Sequence, residues 1–345
     1  MSFSASGGHL PNEVLAQAIR ELSEWRGTGQ GVLELPFTGP AFKDLQAGAM
    51  SSLRALLRLP EGYRVLFMQG GASTQFSLVP MNLLRGKETA SYTDTGYWSK
   101  RAIAEALRYC RIELLPPHGL PATPGTAYLH VTSNETADGW QYREFPDTGG
   151  LPLVADMTSD FLTRPIDVSR FGLIYASAQK NIGVAGLTVV IVREDLLGGA
   201  HMLTPSAFDY RMQAQSDSLY NTPPVFAVHV AGLVFAWLLA QGGLESMQAA
   251  ARRKSLCLYD VIDRSDGFYR CQVAPEARSC VSVCFRLAGT ALTRAFLGEA
   301  ESEGFLHLAG HSRVGGIRAS LYNAVSEEAA TALAEFMQDF ANRRG

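Results

Sequence analysis

Lysine is scarce in this chain: Lys43, Lys87, Lys100, Lys180 and Lys254 are the only five in 345 residues. Cysteine is also sparse, and Cys110, Cys257, Cys271, Cys280 and Cys284 include no CxxC pair and no histidine cluster at zinc spacing. That excludes a disulfide framework and points to a reducing, cytoplasmic setting. Cys280 and Cys284 fall on one face of an alternating run, which reads as core packing. There is no excess of positive charge: 30 Lys and Arg against 33 Asp and Glu leave −3, with the arginines scattered, so nucleic acid is excluded as a partner class. No long hydrophobic run is present either. The longest apolar candidate, VFAVHVAGLVFAWLLA at 225–240, falls short of the roughly 20 residues a bilayer requires and carries His229, so it reads as a buried helix and no membrane partner is expected. The opening MSFSASGGHLPNEV has no basic stretch leading into an apolar one, so no secretory signal is expected.

What is present is an alternation. Helical spacing at 12–25 and 41–57 precedes short apolar runs interleaved with helical patterns: YRVLFMQGG, TASYTDTG, AYLHVTSN, LPLVADMTSD, GLIYASAQK and GLTVVIVRED. This predicts an α/β fold with a mainly parallel sheet. From about residue 244 the grain changes to a long helix at 244–262, then CVSVCFRLA, a helix near 291–302, FLHLAG, GGIRASLYNA and a last helix from Ser326. The expected division is a large domain at 1–243, whose N-terminal segment also contributes to the small lobe, and a smaller α+β domain at 244–345.

Four of the lysines read as solvated, Lys43 and Lys254 on amphipathic helices among them. Lys180 ends a strand-like run, where open α/β sheets place their ligands. Asp156 ends the preceding run in the same way. An amine and a carboxylate at one sheet edge suit pyridoxal phosphate, the amine forming an imine with its aldehyde and the carboxylate keeping the ring nitrogen protonated. A plain ion pair is the structural alternative. QGGAST at 69–74, between a strand and a helix, could cradle a phosphate; Trp98 could stack on a ring; Thr136 could hydrogen-bond the cofactor or cap a turn.

RPIDVSRFGLIYASAQKNIGVAGLTVVIVREDLLG (164–198), SLYNTPPVFA (218–227), SNETADG (133–139), DTGYW (94–98) and GGIRASLYNA (315–324) together resemble the phosphoserine aminotransferase family, fold-type-I pyridoxal 5'-phosphate enzymes with a seven-stranded sheet. The resemblance implies that Lys180 binds the cofactor covalently, Asp156 meets the ring nitrogen, Trp98 stacks and Thr136 contacts the cofactor. It implies phosphate contacts from Ala72, Ser73 and Gln179, and from Asn221 and Thr222 of a second subunit, hence a homodimer with shared sites. Arg318 would grip a substrate α-carboxylate. The implied reaction is a ping-pong transamination between an L-amino acid, glutamate by default, and a 2-oxo acid, 3-phosphohydroxypyruvate by family default.

The chain departs from the family where substrate contacts are expected. A His-Arg pair that holds the distal anion is replaced by Phe37 and Thr38, and the arginine expected after His311 is Ser312, with Arg313 one place later. SASGGHLP (4–11) differs from the family form, and 116–127 is shortened. Two readings stay open: His311, Arg313 or another arginine such as Arg143 compensates, or the chain is a paralogue for a non-phosphorylated acid. A lyase or racemase on the same scaffold is the alternative of another class; Arg318 argues against decarboxylation.

Overall fold

The structure, a computed structural model, describes residues 1–118 and 123–345. In chain order the strands are β1 (Tyr63–Met68), β2 (Thr89–Thr93), β3 (Arg111–Leu115), β4 (Leu129–Thr132), β5 (Asn134–Glu135), β6 (Trp140–Gln141), β7 (Leu153–Asp156), β8 (Leu173–Ser177), β9 (Thr188–Arg193), β10 (Ser282–Phe285) and β11 (Ile317–Ser320). The α-helices are α1 (Asn12–Ser23), α2 (Pro40–Leu57), α3 (Gly71–Leu83), α4 (Tyr97–Ala106), α5 (Tyr210–Gln215), α6 (Val225–Ala240), α7 (Gly243–Asp263), α8 (Gly289–Ser302) and α9 (Glu327–Arg344).

Seven strands form one sheet in the order β1-β9-β8-β7-β4-β2-β3. β9 runs antiparallel to both its neighbours, and every other pairing is parallel. The expected mainly parallel α/β sheet is therefore present. Both faces are covered, and the two-residue period shows how. Along β9, Val189 and Ile191 enter the core formed with α2 and α6, whereas Val190 and Val192 enter the one formed with α3 and α4. β3 was not among the expected runs. It lies at the sheet edge and is only partly buried, so its sequence, RIELL, need not be apolar on both faces.

α6 is apolar on nearly every face and mostly buried, chiefly against α2, with Ala236, Leu239 and Ala240 exposed near its C-terminal end. Phe235, fully buried in it, would cost about 3–5 kcal/mol if truncated to alanine. Among the described residues no single helix is long and apolar enough to cross a membrane; α6 and α7 reach that length only as a pair bent by 84°.

A separate core gathers β10, β11, α8, α9 and the distal part of α7. Phe3 belongs to it, its N–H donating to Leu306 O at 3.0 Å. FLHLAG, apolar enough for a strand, makes only isolated bridges, Ser2 to Leu306 and Ala309 to Ile317. α7 spans both regions, with Leu244 and Met247 in the core beneath the large sheet and Leu258 and Ile262 in the C-terminal core.

One lysine departs from expectation. Lys254 is not solvated but 2 % exposed, and its Nζ donates to the carbonyls of Leu321 (3.2 Å), Tyr322 (2.8 Å) and Val325 (2.8 Å). It lies on the buried stripe of α7 formed by Met247, Ala251, Leu258 and Ile262, and burial pulls its pKa down to about 8. Lys43 and Lys100 are exposed.

Candidate active site

The parallel arrangement brings several strand ends to one edge. β7 ends on Asp156, β8 ends three residues before Lys180, β1 runs through Gly70 into α3, and β4 leads to Thr136. Ligands of open α/β sheets bind at this carboxyl edge. Here it holds a cavity of about 250 Å³ lined by Gly70, Gly71, Ala72, Ser73, Trp98, Thr136, Asp156, Gln179 and Lys180, together with Thr132, Asn134, Thr158, Ser159 and Ser177. Seven residues singled out in the sequence therefore face one space.

Within it, Lys180 Nζ donates to Thr136 Oγ1 at 2.7 Å and lies 5.3 Å from the centre of the Trp98 ring. Burial lowers the Lys180 pKa to about 8, with Asp156 opposing that shift and Arg318 adding to it. A neutral amine is thus accessible nearer to neutral pH than for a solvated lysine. Asp156 accepts the Thr158 N–H at 2.9 Å; burial raises its pKa, and Thr158 and Lys180 pull it back. A buried acid of this kind is completed by a cationic N–H partner.

The glycine turn is built for close approach. Gly70 has φ +100°, and a Cβ there would lie 2.4 Å from Thr74 Oγ1, so only glycine fits where the chain turns into α3. Ala72 and Ser73 follow in the first turn, whose N–H groups have no partner within the helix. Gly8 is equally constrained: a Cβ would stand 1.6 Å from the carbonyl oxygen of Lys180, and its N–H donates to Gln179 O at 2.7 Å. The segment SASGGHLP is thereby laid directly on the backbone at Lys180.

Arg318 approaches from β11, opposite Cys284, with Nη1 3.4 Å from Thr136 O and its buried Nε without a partner. His311 sits 4.2 Å, ring to ring, from Tyr97 and 6.0 Å from Trp98. A larger cavity of about 530 Å³, bordered by Thr95, Asp138, Cys284, Arg286 and Ile317, is lined by neither Lys180 nor Arg318 and shares no lining residue with the smaller one.

The donor set fits pyridoxal phosphate. Thr132 Oγ1 and Trp98 Nε1 are buried without hydrogen-bond partners on residues lining the cavity, and a buried amine, a buried acid, a planar ring and free helix N–H groups converge there. The Aminotransferase class-V family profile matches residues 2–333. The phosphoserine aminotransferase of Laribacter hongkongensis is 51 % identical over 100 % of this chain and 99 % of its own, and that of Acidithiobacillus ferrooxidans is 48 % identical over 100 % and 98 %.

The chain belongs to the phosphoserine aminotransferase family.

Solved members of the family agree in fold. The phosphoserine aminotransferase from Bacillus circulans subsp. alkalophilus superposes with a TM-score of 0.96 at 44 % identity, covering 99 % of this chain and 98 % of that one. A pyridoxal-phosphate-bound phosphoserine aminotransferase from Trichomonas vaginalis superposes at 0.92 with 36 % identity, covering 97 % and 99 %. The chain is a fold-type-I pyridoxal-phosphate-dependent transaminase by this membership.

Other residues that the family resemblance brought forward lie outside the smaller cavity. Asn221 and Thr222 are exposed; Asn221 Oδ1 accepts from Gln213 and the Thr222 carbonyl from Gln69 at 2.6 Å. Phe37 packs half-buried against the large core and Thr38 is exposed. Arg313 is exposed, its backbone N–H donating to His311 Nδ1. Arg143 turns to Cys280 and the Arg278 carbonyl rather than into the cavity. The shortened stretch at 116–127 includes residues 119–122, which lie outside the described residues.

Sequence reading missed the acids behind the site. Glu135 is fully buried, accepting the N–H groups of Trp98 and Ser99, and burial pushes its pKa to about 7 against the pull of those two bonds. Asp160 accepts from Ser133 and Gln141. The available signal was position: Glu135 directly precedes Thr136 in SNET.

Proposed function

We propose that this chain exchanges the amino group between phosphoserine and a 2-oxo acid, 2-oxoglutarate by default, making or consuming 3-phosphohydroxypyruvate. The observation that carries the reading is the pairing of Lys180 with Thr136 and Trp98 in a cavity that also contains Asp156, within a chain 45–51 % identical along essentially its whole length to relatives described as phosphoserine aminotransferases. A paralogue for a non-phosphorylated acid, or a lyase or racemase, is not favoured by these relatives.

In this reading Lys180 holds pyridoxal phosphate, Asp156 meets its ring nitrogen, Trp98 covers a face and Thr136 contacts it. Ala72, Ser73 and Gln179 take the phosphate, with Asn221 and Thr222 donated by the other subunit of a homodimer. When bound, the cofactor acts as an electron sink for the charge left on the substrate's Cα. The protein's own contribution is positioning and proton movement. Arg318, whose Nη1 meets Thr136 O and whose buried Nε has no partner, would clamp an α-carboxylate, which keeps that group from leaving and sets the Cα–H toward Lys180. Lys180 Nζ, once released, takes the Cα proton, and its burial-lowered pKa suits a base working near neutral pH. Gly8 and its neighbours keep water off the lysine backbone.

In this reading His311 and Arg313 meet the substrate's far end, with Phe37 and Thr38 replacing the family's distal pair. The polypeptide is further proposed to work in the cytoplasm, with residues 1–243 as the cofactor-binding domain and 244–345 as the smaller one. The deciding experiment assays phosphoserine, serine, alanine and aspartate as donors to 2-oxoglutarate. Phosphoserine should give the highest kcat/KM; serine or alanine exceeding it would overturn the substrate assignment.

A further inference from the structure

We infer that Glu135 is a positioning residue for the cofactor ring, acting through Trp98: its carboxylate fixes the first turn of α4 and so sets the depth and tilt of the indole over the site. The inference rests on the reading of Trp98 as the ring-stacking residue.

The first N–H groups of an α-helix have no partner inside the helix. In α4 they are taken by two acids from far along the chain. Asp138 Oδ2 accepts from Tyr97 N at 2.9 Å, while Glu135 Oε2 accepts from Trp98 N and Oε1 from Ser99 N, each at 2.8 Å. A carboxylate here also meets the positive end of the helix dipole. The fit is close on all sides. A Cβ at Gly96 would lie 2.6 Å from Asp138 Oδ2 and 2.8 Å from the Glu135 side chain, so backbone and acids leave no slack. The indole is not anchored by its own polar atom, since Trp98 Nε1 is buried without a partner. Its placement therefore comes from the main chain, and the main-chain N–H of Trp98 itself is what Glu135 holds. The next residue, Thr136, holds Lys180 Nζ. Two adjacent residues thus fix the ring-covering group and the reactive amine relative to one another.

Glu135→Gln keeps the side chain's shape but turns an amide NH₂ toward one of the two N–H groups, breaking half the cap. The test titrates pyridoxal phosphate into protein freed of cofactor, reading the dissociation constant from visible absorbance and ring contact from the part of the tryptophan quench that Trp98→Phe abolishes. Glu135→Gln should raise the dissociation constant about tenfold and shrink that quench, the loss of one charge-assisted bond. In a Trp98→Ala background the same substitution should add less than about twofold, because its path to the ring is gone. Asp138→Asn, which alters an acid accepting from Tyr97 N and not from Trp98, should change the constant less than about threefold. If Glu135→Gln folds poorly, Glu135→Asp, which withdraws the charge by one methylene, is put through the same cycle. An unchanged constant and quench, or an equal loss with and without Trp98, would overturn the inference while leaving the functional reading intact. Wild-type protein that binds no pyridoxal phosphate would remove both.

Discussion

Replacing Lys254 with methionine keeps the length of the side chain and removes the ammonium that ties α7 to the turn after β11. Two buried carbonyls, those of Leu321 and Val325, lose their donor, while Tyr322 O loses one of two and keeps the Val325 N–H at 2.9 Å. At about 2 kcal/mol for each unsatisfied group and about 1.5 kcal/mol for the lost charge-assisted bond to Tyr322, the loss is roughly 5.5 kcal/mol. Against it stands the cost of burying the charge. A pKa lowered from 10.5 to about 8, at 1.36 kcal/mol for each pH unit, is a cost of about 3.4 kcal/mol that methionine does not carry. The net destabilisation is about 2 kcal/mol. With an unfolding entropy near 2.1 cal/mol/K for each of 345 residues, the melting temperature should fall by about 3 °C in calorimetry at pH 7. The pH dependence has a definite sign. Between about 8 and 10.5 the unfolded chain holds a proton on Lys254 that the folded chain has released, so wild-type stability rises with pH across that window. The gap to the variant should widen accordingly. A melting temperature within about 1 °C of wild type, or a gap that narrows from pH 8 to 10, would refute the tether.

Three other outcomes follow from the site. With Lys180 as the proposed cofactor-binding amine, uptake of pyridoxal phosphate by the cofactor-free protein needs its neutral form, so the rate should rise with pH about a midpoint near 8, and a stopped-flow midpoint near 10.5 would contradict the burial of Nζ. Arg318→Lys, which cannot form the two-pronged contact, should raise the donor KM about 10–100-fold with pyridoxal phosphate affinity within about twofold of wild type, read from steady-state kinetics beside a cofactor titration. Gly8→Ala places a methyl 1.6 Å from the Lys180 carbonyl and must push the two segments apart; kcat/KM should drop at least about tenfold while far-UV circular dichroism is unchanged.

The sheet and its carboxyl edge were legible because both depend on short-range pattern. Alternation gave the strands, and a charged residue ending an apolar run gave Lys180 and Asp156. Lys254 was misread although it falls on the stripe of Met247, Ala251, Leu258 and Ile262, because helical period shows which residues share a face and not what that face meets. The carbonyls that accept from it lie 67 to 71 residues later. Glu135 was hidden for the same reason, as its partners on α4 precede it by 36 and 37 residues. β3 escaped notice because an edge strand carries a weaker apolar signature. Asn221 and Thr222, proposed to reach the site of a second subunit, leave no trace of that role in a single chain's pattern.

The 21-residue α7 has one end in the core below the seven-stranded sheet and the other among α8, α9 and β11. A continuous helix resists bending at mid-length, since a kink sacrifices backbone hydrogen bonds. It therefore acts as a common axle for the two cores. Any swing carrying Arg318 toward or away from Lys180 would be shared along its length, a tilt and not an unhinging.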